Sequence, residues 1–388
     1  MSSKKRFDMR FIFQKFKKGN KITDFGKVLG KGYFYEVREI KYKNKGMAGK
    51  IIKRENNENI DGLNAYSELL GQNIIKTKMI MQETIENENY TLIIMEKALF
   101  RDLDKLTEFY CRFNLFRTIY YPFKEKVGDN LLKFYVRQII NALLTLYENN
   151  YVHFNIKPTN LLIFPNLTIK LSDFSFLKKV KDGKMEIPEE TKGFLSPEYY
   201  VDRNVTSENA MKYDYFALGS TIFYLKTGEE FLKCKEYENN KMEEMNADKT
   251  VDILQNRINQ IISEKLSDKD FNNFLIKLLQ YKPEDRPSFN KIYRNKWLNK
   301  DLKYLKETFA QFENDEEKLI MEFQKKDFFV DKERLKNNEI QESIEQTKNI
   351  KDKKSQIKGN LASDEYRPKK FKFKKKNCLK INKIKFNY

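Results

Sequence analysis

The stretch Tyr151-Val-His-Phe-Asn-Ile-Lys-Pro-Thr-Asn-Leu-Leu162 decides how the rest of this 388-residue chain is read. It contains the single histidine of the sequence, His153, then Lys157, then Asn160 three residues further on, and it runs into apolar residues. Polar groups of several kinds between apolar flanks describe a loop bounded by strands. A lone histidine is more often packed than chemical, and nothing else in the chain supplies a serine–histidine or histidine–metal arrangement.

Outward from this loop, the chain is organised on both sides. Leu131, Leu132, Tyr135, Ile139, Ile140, Leu143, Leu144 and Leu146 recur at a helical period that ends in Asn149-Asn150, so a helix delivers the chain to His153. Beyond the loop, Ile169-Lys-Leu-Ser-Asp-Phe-Ser175 is an apolar strand ending in Asp173, 13 residues after Asn160. Far upstream, Val28-Leu-Gly-Lys-Gly-Tyr-Phe-Tyr-Glu-Val37 alternates apolar residues around two glycines, as a strand-turn-strand does. Glycines there let a backbone approach phosphate oxygens and donate N–H groups, although a hairpin with no ligand reads the same way. Lys50 follows in Met47-Ala-Gly-Lys-Ile-Ile52 and is, by itself, one of 75 basic residues. Asn56 to Gln72 contains Gly62, which would cost about 1 kcal/mol relative to alanine in a helix interior. Tyr90 to Ala98 is an apolar strand entering a polar segment, and residues 107–126 form an aromatic-rich insertion.

Taken in order, these motifs resemble the protein kinase family, on its serine/threonine branch, over about residues 22–298. Thr191-Lys-Gly-Phe-Leu-Ser-Pro-Glu198, Asp214-Tyr-Phe-Ala-Leu-Gly219 and Lys282-Pro-Glu-Asp-Arg-Pro287 extend the agreement. The resemblance implies an α+β, two-lobed fold, with a small, mainly antiparallel β N-lobe (about 22–96), a larger helical C-lobe (about 99–298), and nucleotide between them. It implies ATP and Mg²⁺ as cofactors. The ATP site would comprise Leu29, Gly30, Gly32, Val37, Ala48, Lys50, Met95 as gatekeeper, the backbone of Glu96 and Ala98, and Leu162, with Asp102 or Asp104 at the ribose. Lys50 would neutralise the α- and β-phosphates, Lys53 being the fallback in a shifted register, and Lys157 would meet the γ-phosphate. Asn160 and Asp173 would hold the metal. Thr191 would bond the catalytic loop, Glu198 would pair with Arg286, Asp214 would bond the catalytic-loop backbone, and His153 would pack under Phe174.

The departures carry as much information as the matches. Tyr35 stands at the third glycine, Ser175 replaces the glycine of D-F-G, and Phe154 replaces an arginine that grips phosphorylated loops. Gly62 stands where a glutamate should pair with Lys50. Asp61 or Glu68 could serve only in a shifted helix. Asn155 replaces the catalytic aspartate, and an amide oxygen can orient a hydroxyl but cannot take its proton. Loss of a general base is worth roughly 10² to 10⁴ in rate, or about 3–5 kcal/mol of barrier. The expected function is therefore a serine/threonine kinase-like protein that binds ATP and Mg²⁺ while phosphoryl transfer is weak or lost, a pseudokinase or scaffold. The rivals are a fully active serine/threonine kinase and an adaptor acting through a basic tail.

Composition sets the remaining bounds. Forty per cent hydrophobic residues, with 31 Phe and 22 Tyr, can build a sizeable core. Cys111, Cys234 and Cys378 are too dispersed for a disulfide framework or a zinc site, which suits a reducing intracellular compartment. No apolar run approaches the roughly 20 residues of a membrane span, and the charged start is unlike a signal peptide. The expected setting is cytoplasmic, or nuclear if the basic end acts as an import signal. Of the net charge of +19, ten Lys/Arg and no acid lie in residues 367–388. That end suits an anionic partner such as RNA or acidic lipid, or else is solvated without a single partner. The domain reading is a basic lead-in over 1–21, the kinase-like domain over 22–298, a helical extension over 299–324 and a charged, disordered tail over 325–388.

Overall fold

Between Ile22 and Lys53 the strand-turn-strand signal becomes three successive strands, β1 (Ile22–Lys31), β2 (Tyr35–Tyr42) and β3 (Lys45–Lys53). The computed structural model describes residues 9–300 apart from 18–20, 33–34, 55–59, 99–101, 107–128, 189–193, 202, 232–254, 257 and 265. Expectations for the aromatic insertion, for Thr191, for the extension beyond residue 300 and for the charged tail lie outside the described residues.

Strands β4 (Thr77–Ile85) and β5 (Glu88–Met95) complete an antiparallel sheet of order β1-β2-β3-β5-β4. Two of its hairpins turn on residue pairs with positive φ, Lys43 (49°) with Asn44 (62°) and Glu86 (52°) with Asn87 (63°). Such turns match the twist of the strands they join, and asparagine tolerates the left-handed region. Strand alternation then gives the sheet two different faces. On one side, Ile40, Met47, Ile51, Tyr90, Leu92 and Ile94 form a core. On the other, register places Val37 opposite Lys50 and Lys50 opposite Ile93, with Glu39, Ala48 and Met95 forming the adjacent row.

A helix, α1 (Met9–Lys17), covers the first face, where Ile12, Phe13 and Phe16 are fully buried. The Phe13 ring meets Phe25 at 5.0 Å, and the Arg38 guanidinium lies 5.7 Å from its centroid. Arg38 in turn bonds Glu36 at 2.5 Å and the Gly26 carbonyl at 3.2 Å, so its charge is matched beneath the helix. Sequence alone predicts only a basic lead-in here. Nine residues with one short apolar stripe among lysines and arginines give too little periodicity to read as a helix.

The second lobe begins with α3 (Asp129–Glu148), the helix expected before the central loop, preceded in the chain by α2 (Ile60–Glu68) of the first lobe. Short antiparallel pairs come next: β6 (Tyr151–Val152) with β9 (Lys178–Lys179), β7 (Leu161–Phe164) with β8 (Thr168–Leu171), and β10 (Lys184–Glu186) with β11 (Asn204–Thr206). Helices α4 (Pro197–Val201), α5 (Ala210–Thr227), α6 (Lys269–Leu278), α7 (Phe289–Tyr293) and α8 (Lys296–Asn299) build the rest. Trp297 closes this lobe between the rings of Phe271 and Phe274, at 4.7 and 5.4 Å. The mainly antiparallel sheet and the helical second lobe agree with the two-lobed α+β expectation.

One ion pair locks the helical lobe. Arg286, fully buried, meets Glu198 through two parallel bonds of 2.7 Å, as the family resemblance implied. Its other donors reach the carbonyls of Gln280, Tyr281 and Lys212. A buried guanidinium is tolerable only when its donors are used in this way.

Burial of Phe13 makes α1 part of the fold rather than an appendage. We expect Phe13→Ala to lower unfolding free energy by about 3 kcal/mol, measured by urea denaturation. A loss below about 0.5 kcal/mol, the usual range for surface changes, would contradict the packing.

Candidate functional site

Lys50 lies at the centre of the sheet face that looks toward the second lobe, and its side chain is buried. Its Nζ bonds Asp173 Oδ1 at 2.5 Å and Ser175 Oγ at 3.0 Å, while Ser175 Oγ donates to the same Asp173 oxygen at 2.7 Å. Desolvation alone would discharge this lysine, but Asp173, with Tyr66 and Tyr35 nearby, outweighs burial and holds its pKa above the ordinary value. Burial likewise opposes ionisation of Asp173, and Lys50 with Ser175 overcomes it, so the carboxylate pKa falls. Asp173 sits at φ 63°, ψ 75°, in the left-handed region. Phe174 and its neighbours hold that strained backbone in place, forming a short 3₁₀ turn packed against α2.

No acid of α2 reaches Lys50. Glu68 accepts from the Tyr151 hydroxyl at 2.6 Å, and Asp61 accepts from the Lys179 N–H at 3.0 Å. Gly62 does occupy the buried side of the helix, and one turn on stands Tyr66. Its hydroxyl lies beside the Lys50 ammonium and accepts from the Phe174 N–H at 3.3 Å, with its ring 4.6 Å from that of Phe174. Sequence reasoning missed Tyr66. The available signal was its i+4 spacing from Gly62, which puts both on one face.

The central loop is positioned by Asp214 at the start of α5. Its two carboxylate oxygens accept from the N–H groups of His153 (2.8 Å) and Phe154 (2.9 Å), the latter at φ 61°. Burial pushes the Asp214 carboxyl up to about 7 against those two donors. His153 Nδ1 accepts from the Asn155 N–H at 3.2 Å, so Nε2 carries the proton and donates to the Ser172 carbonyl, also at 3.2 Å. Its ring meets Phe174 edge-on at 5.9 Å, the packing role expected for it. Burial lowers the imidazole pKa to about 4, so the ring is neutral.

Asn155 is buried, and its Oδ1 has no hydrogen-bond partner. Its carbonyl accepts from Asn160 Nδ2 at 2.8 Å, which fixes the Asn160 amide with its oxygen turned elsewhere. The Asn160 carbonyl takes both the N–H and the hydroxyl of Ser172, tying this loop to the residue before Asp173. Lys157 precedes Pro158 at the start of the short turn that carries Asn160.

The remaining site residues gather at the edge of the sheet. Leu29 and Gly30 lie on β1, with Gly30 opposite Val37, and Ala48 lies opposite Met95. The Glu96 N–H is already used by the Lys76 carbonyl, and the Glu96 carboxylate meets Lys170 at 2.7 and 2.8 Å. Lys170 is paired with Leu162 on the neighbouring strand, so this ion pair ties the end of β5 to the floor of the cleft. Lys97 bonds Glu39 of β2, adding a second tie beside Ala98. Asp102 caps the N–H of Lys105 at 2.9 Å, and Asp104 accepts from the Tyr224 hydroxyl at 2.5 Å. Lys53, the fallback for Lys50, instead pairs with Glu88 at 2.8 Å.

The protein kinase domain family model matches residues 23–298. An Aurora kinase of Saccharomyces cerevisiae is 27% identical over 292 residues, covering 71% of this chain and 70% of that protein. An Aurora kinase of Eremothecium gossypii is 26% identical over 290 residues, covering 72% and 71%. Mitogen-activated protein kinase kinase kinase 3 of Arabidopsis thaliana is 24% identical over 245 residues, covering 59% of this chain and 40% of that protein.

The neutral His153 has a measurable consequence. Its folded pKa is about 4 against 6.5 for the free group, so between these values the unfolded chain binds the extra proton and stability falls as pH falls. Asp214, raised by burial, acts in the opposite sense, so the comparison must be between chains that both retain it. The stability gap between the parent and His153→Gln should narrow by about 2 kcal/mol from pH 7 to pH 5, read by urea denaturation. A gap independent of pH would show that the imidazole titrates as it does in the unfolded chain and is not buried.

Proposed function

This chain belongs to the protein kinase family, and from that membership we propose that it binds ATP with Mg²⁺ in the cleft between its lobes while transferring phosphate to serine or threonine slowly or not at all. The domain is of the serine/threonine kinase type. Such domains in general use ATP, Mg²⁺ and protein substrates. The observation that carries the finer reading is Asn155, a buried amide with an unpartnered oxygen at the position of the catalytic base.

The donor set fits the absent groups. Hard oxygen ligands suit Mg²⁺, and the Asn160 amide oxygen with the second Asp173 carboxylate oxygen would be its protein ligands. Among the described residues no three His, Cys, Asp or Glu side chains converge. A bound metal would supply charge neutralisation between the phosphates. Lys50 would hold the inner phosphates, Lys157 the outer one, and Thr191 would support the loop. The Ala48–Met95 row, Leu29, Gly30, Val37 and Leu162 would enclose the base, with the Glu96 carbonyl and the Ala98 backbone at its edge.

Asn155 Oδ1 can orient a substrate hydroxyl but cannot accept its proton. Positioning and charge neutralisation, the larger part of the catalytic effect, stay with the residues named above. The protein then acts chiefly as a nucleotide-sensing scaffold. The proposal extends to an intracellular setting and to an anionic partner for residues 367–388. Among the described residues no helix is long and apolar enough to cross a membrane.

With labelled ATP, Mg²⁺ and generic serine/threonine substrates, Asn155→Asp should transfer phosphate about 10²-fold faster than the parent, and Asp173→Ala should transfer none. Equal rates in the parent and Asn155→Asp would overturn the lost-base reading. A thermal shift with millimolar ATP and Mg²⁺ checks binding separately, and no shift would remove the nucleotide from the proposal. Salt-sensitive binding to an anionic partner should vanish when residues 367–388 are deleted, and its persistence would reject that segment as the cause.

A further inference from the structure

Two of the family's glycine positions carry side chains here, Tyr35 and Ser175, and both side chains turn toward the same place. Tyr35 is on β2, two residues before Val37, and alternation puts both on the face that carries Lys50. The Lys50 ammonium lies 4.3 Å from the Tyr35 ring centroid. The ring also closes on Gly32, where an added Cβ would lie 2.3 Å from Tyr35 Cε1. The Gly32 N–H donates to the Tyr35 carbonyl at 2.9 Å, which fixes the turn that holds the ring there. Burial first, and Asp173 second, raise the Tyr35 hydroxyl pKa, so the phenol is neutral. The ring thus approaches both Gly32 and the lysine that would otherwise meet phosphates, while Ser175 bonds both Lys50 and Asp173.

We propose that Tyr35 is an internal occupant of the triphosphate subsite, so that ATP binds here only by displacing the ring and binds more weakly than it would without it, whereas a nucleoside is unaffected. The inference rests on the nucleotide-cleft reading above. Sheet register explains the difference. Tyr35 is opposite Ile52, one row beyond Val37 and Lys50, whereas the base would lie by Ala48 and Met95, one row on the other side. A phenol by Lys50 therefore leaves the base region open and competes only with the phosphates. A triphosphate must displace the ring from its cation–π contact and from Gly32, and a nucleoside need not.

The test titrates adenosine and Mg²⁺–ATP into the full chain and into Tyr35→Gly, Tyr35→Ser and Tyr35→Phe, by calorimetry. Removing the ring should tighten ATP at least tenfold in Tyr35→Gly and Tyr35→Ser while adenosine changes less than threefold. Tyr35→Phe keeps the ring and should keep the parent's affinities. ATP affinity within threefold of the parent in both ring-less variants would overturn the proposal, as would an equal gain for adenosine. If neither ligand binds any chain, the nucleotide reading fails, and the position of the ring is still decided by labelling. Modification of Lys50 by a small amine-reactive ester at alkaline pH, read by peptide mass spectrometry, should rise at least fivefold without the ring. Equal labelling in the parent and in the ring-less variants would show that Tyr35 does not cover Lys50.

Discussion

The Lys50–Asp173 ion pair is the constraint on which the cleft depends, because its two ends come from different lobes and both are withdrawn from water. Burying two opposite charges is favourable only when geometry and extra hydrogen bonds offset desolvation. Ser175 supplies the extra bond and the Tyr66 hydroxyl sits beside the ammonium, so the pair is stable without an acid from α2. Asp173 can then hold a left-handed backbone, which in turn directs Phe174 between Tyr66 and His153. From there the loop is tied to α5 through Asp214. A single charge pair at the top of the cleft is thereby continuous with the core of the helical lobe.

This arrangement separates two roles that a glutamate on α2 would combine. Such an acid would hold Lys50 in place and leave Asp173 free. Here Asp173 does the holding itself, through the same oxygen that accepts from Ser175.

Much of this was legible from sequence, and the reasons differ by residue. The strands around Lys50 and the central loop could be read because alternation and motif spacing are local, and Arg286 with Glu198 because the family resemblance implied that pairing. Asn155 could be singled out from sequence, but its orphaned oxygen could not, since hydrogen-bond satisfaction depends on neighbours brought in by folding. Tyr66 was hidden because a lysine's partner is ordinarily an acid, and a neutral phenol beside an ammonium leaves no charge pattern. The direction of the Tyr35 ring depends on a close approach to Gly32 that no pattern encodes. The α1 helix escaped for a different reason. Its three buried apolar residues, Ile12, Phe13 and Phe16, acquire meaning only against a sheet face formed by distant strands.

That last dependence bears on the order in which the molecule assembles. A helix of nine residues is too short to persist alone in water. Its docking surface includes Met81 and Ile85 on β4 as well as Ile22 at the start of β1. The surface therefore exists only after a hairpin more than 60 residues away in sequence has joined the sheet, and closing so long a loop is slow. α1 can therefore dock only onto an assembled sheet, which makes its packing conditional on the strands it covers. Whatever holds or releases Met9–Lys17 consequently governs how long the outer face of the sheet stays dry.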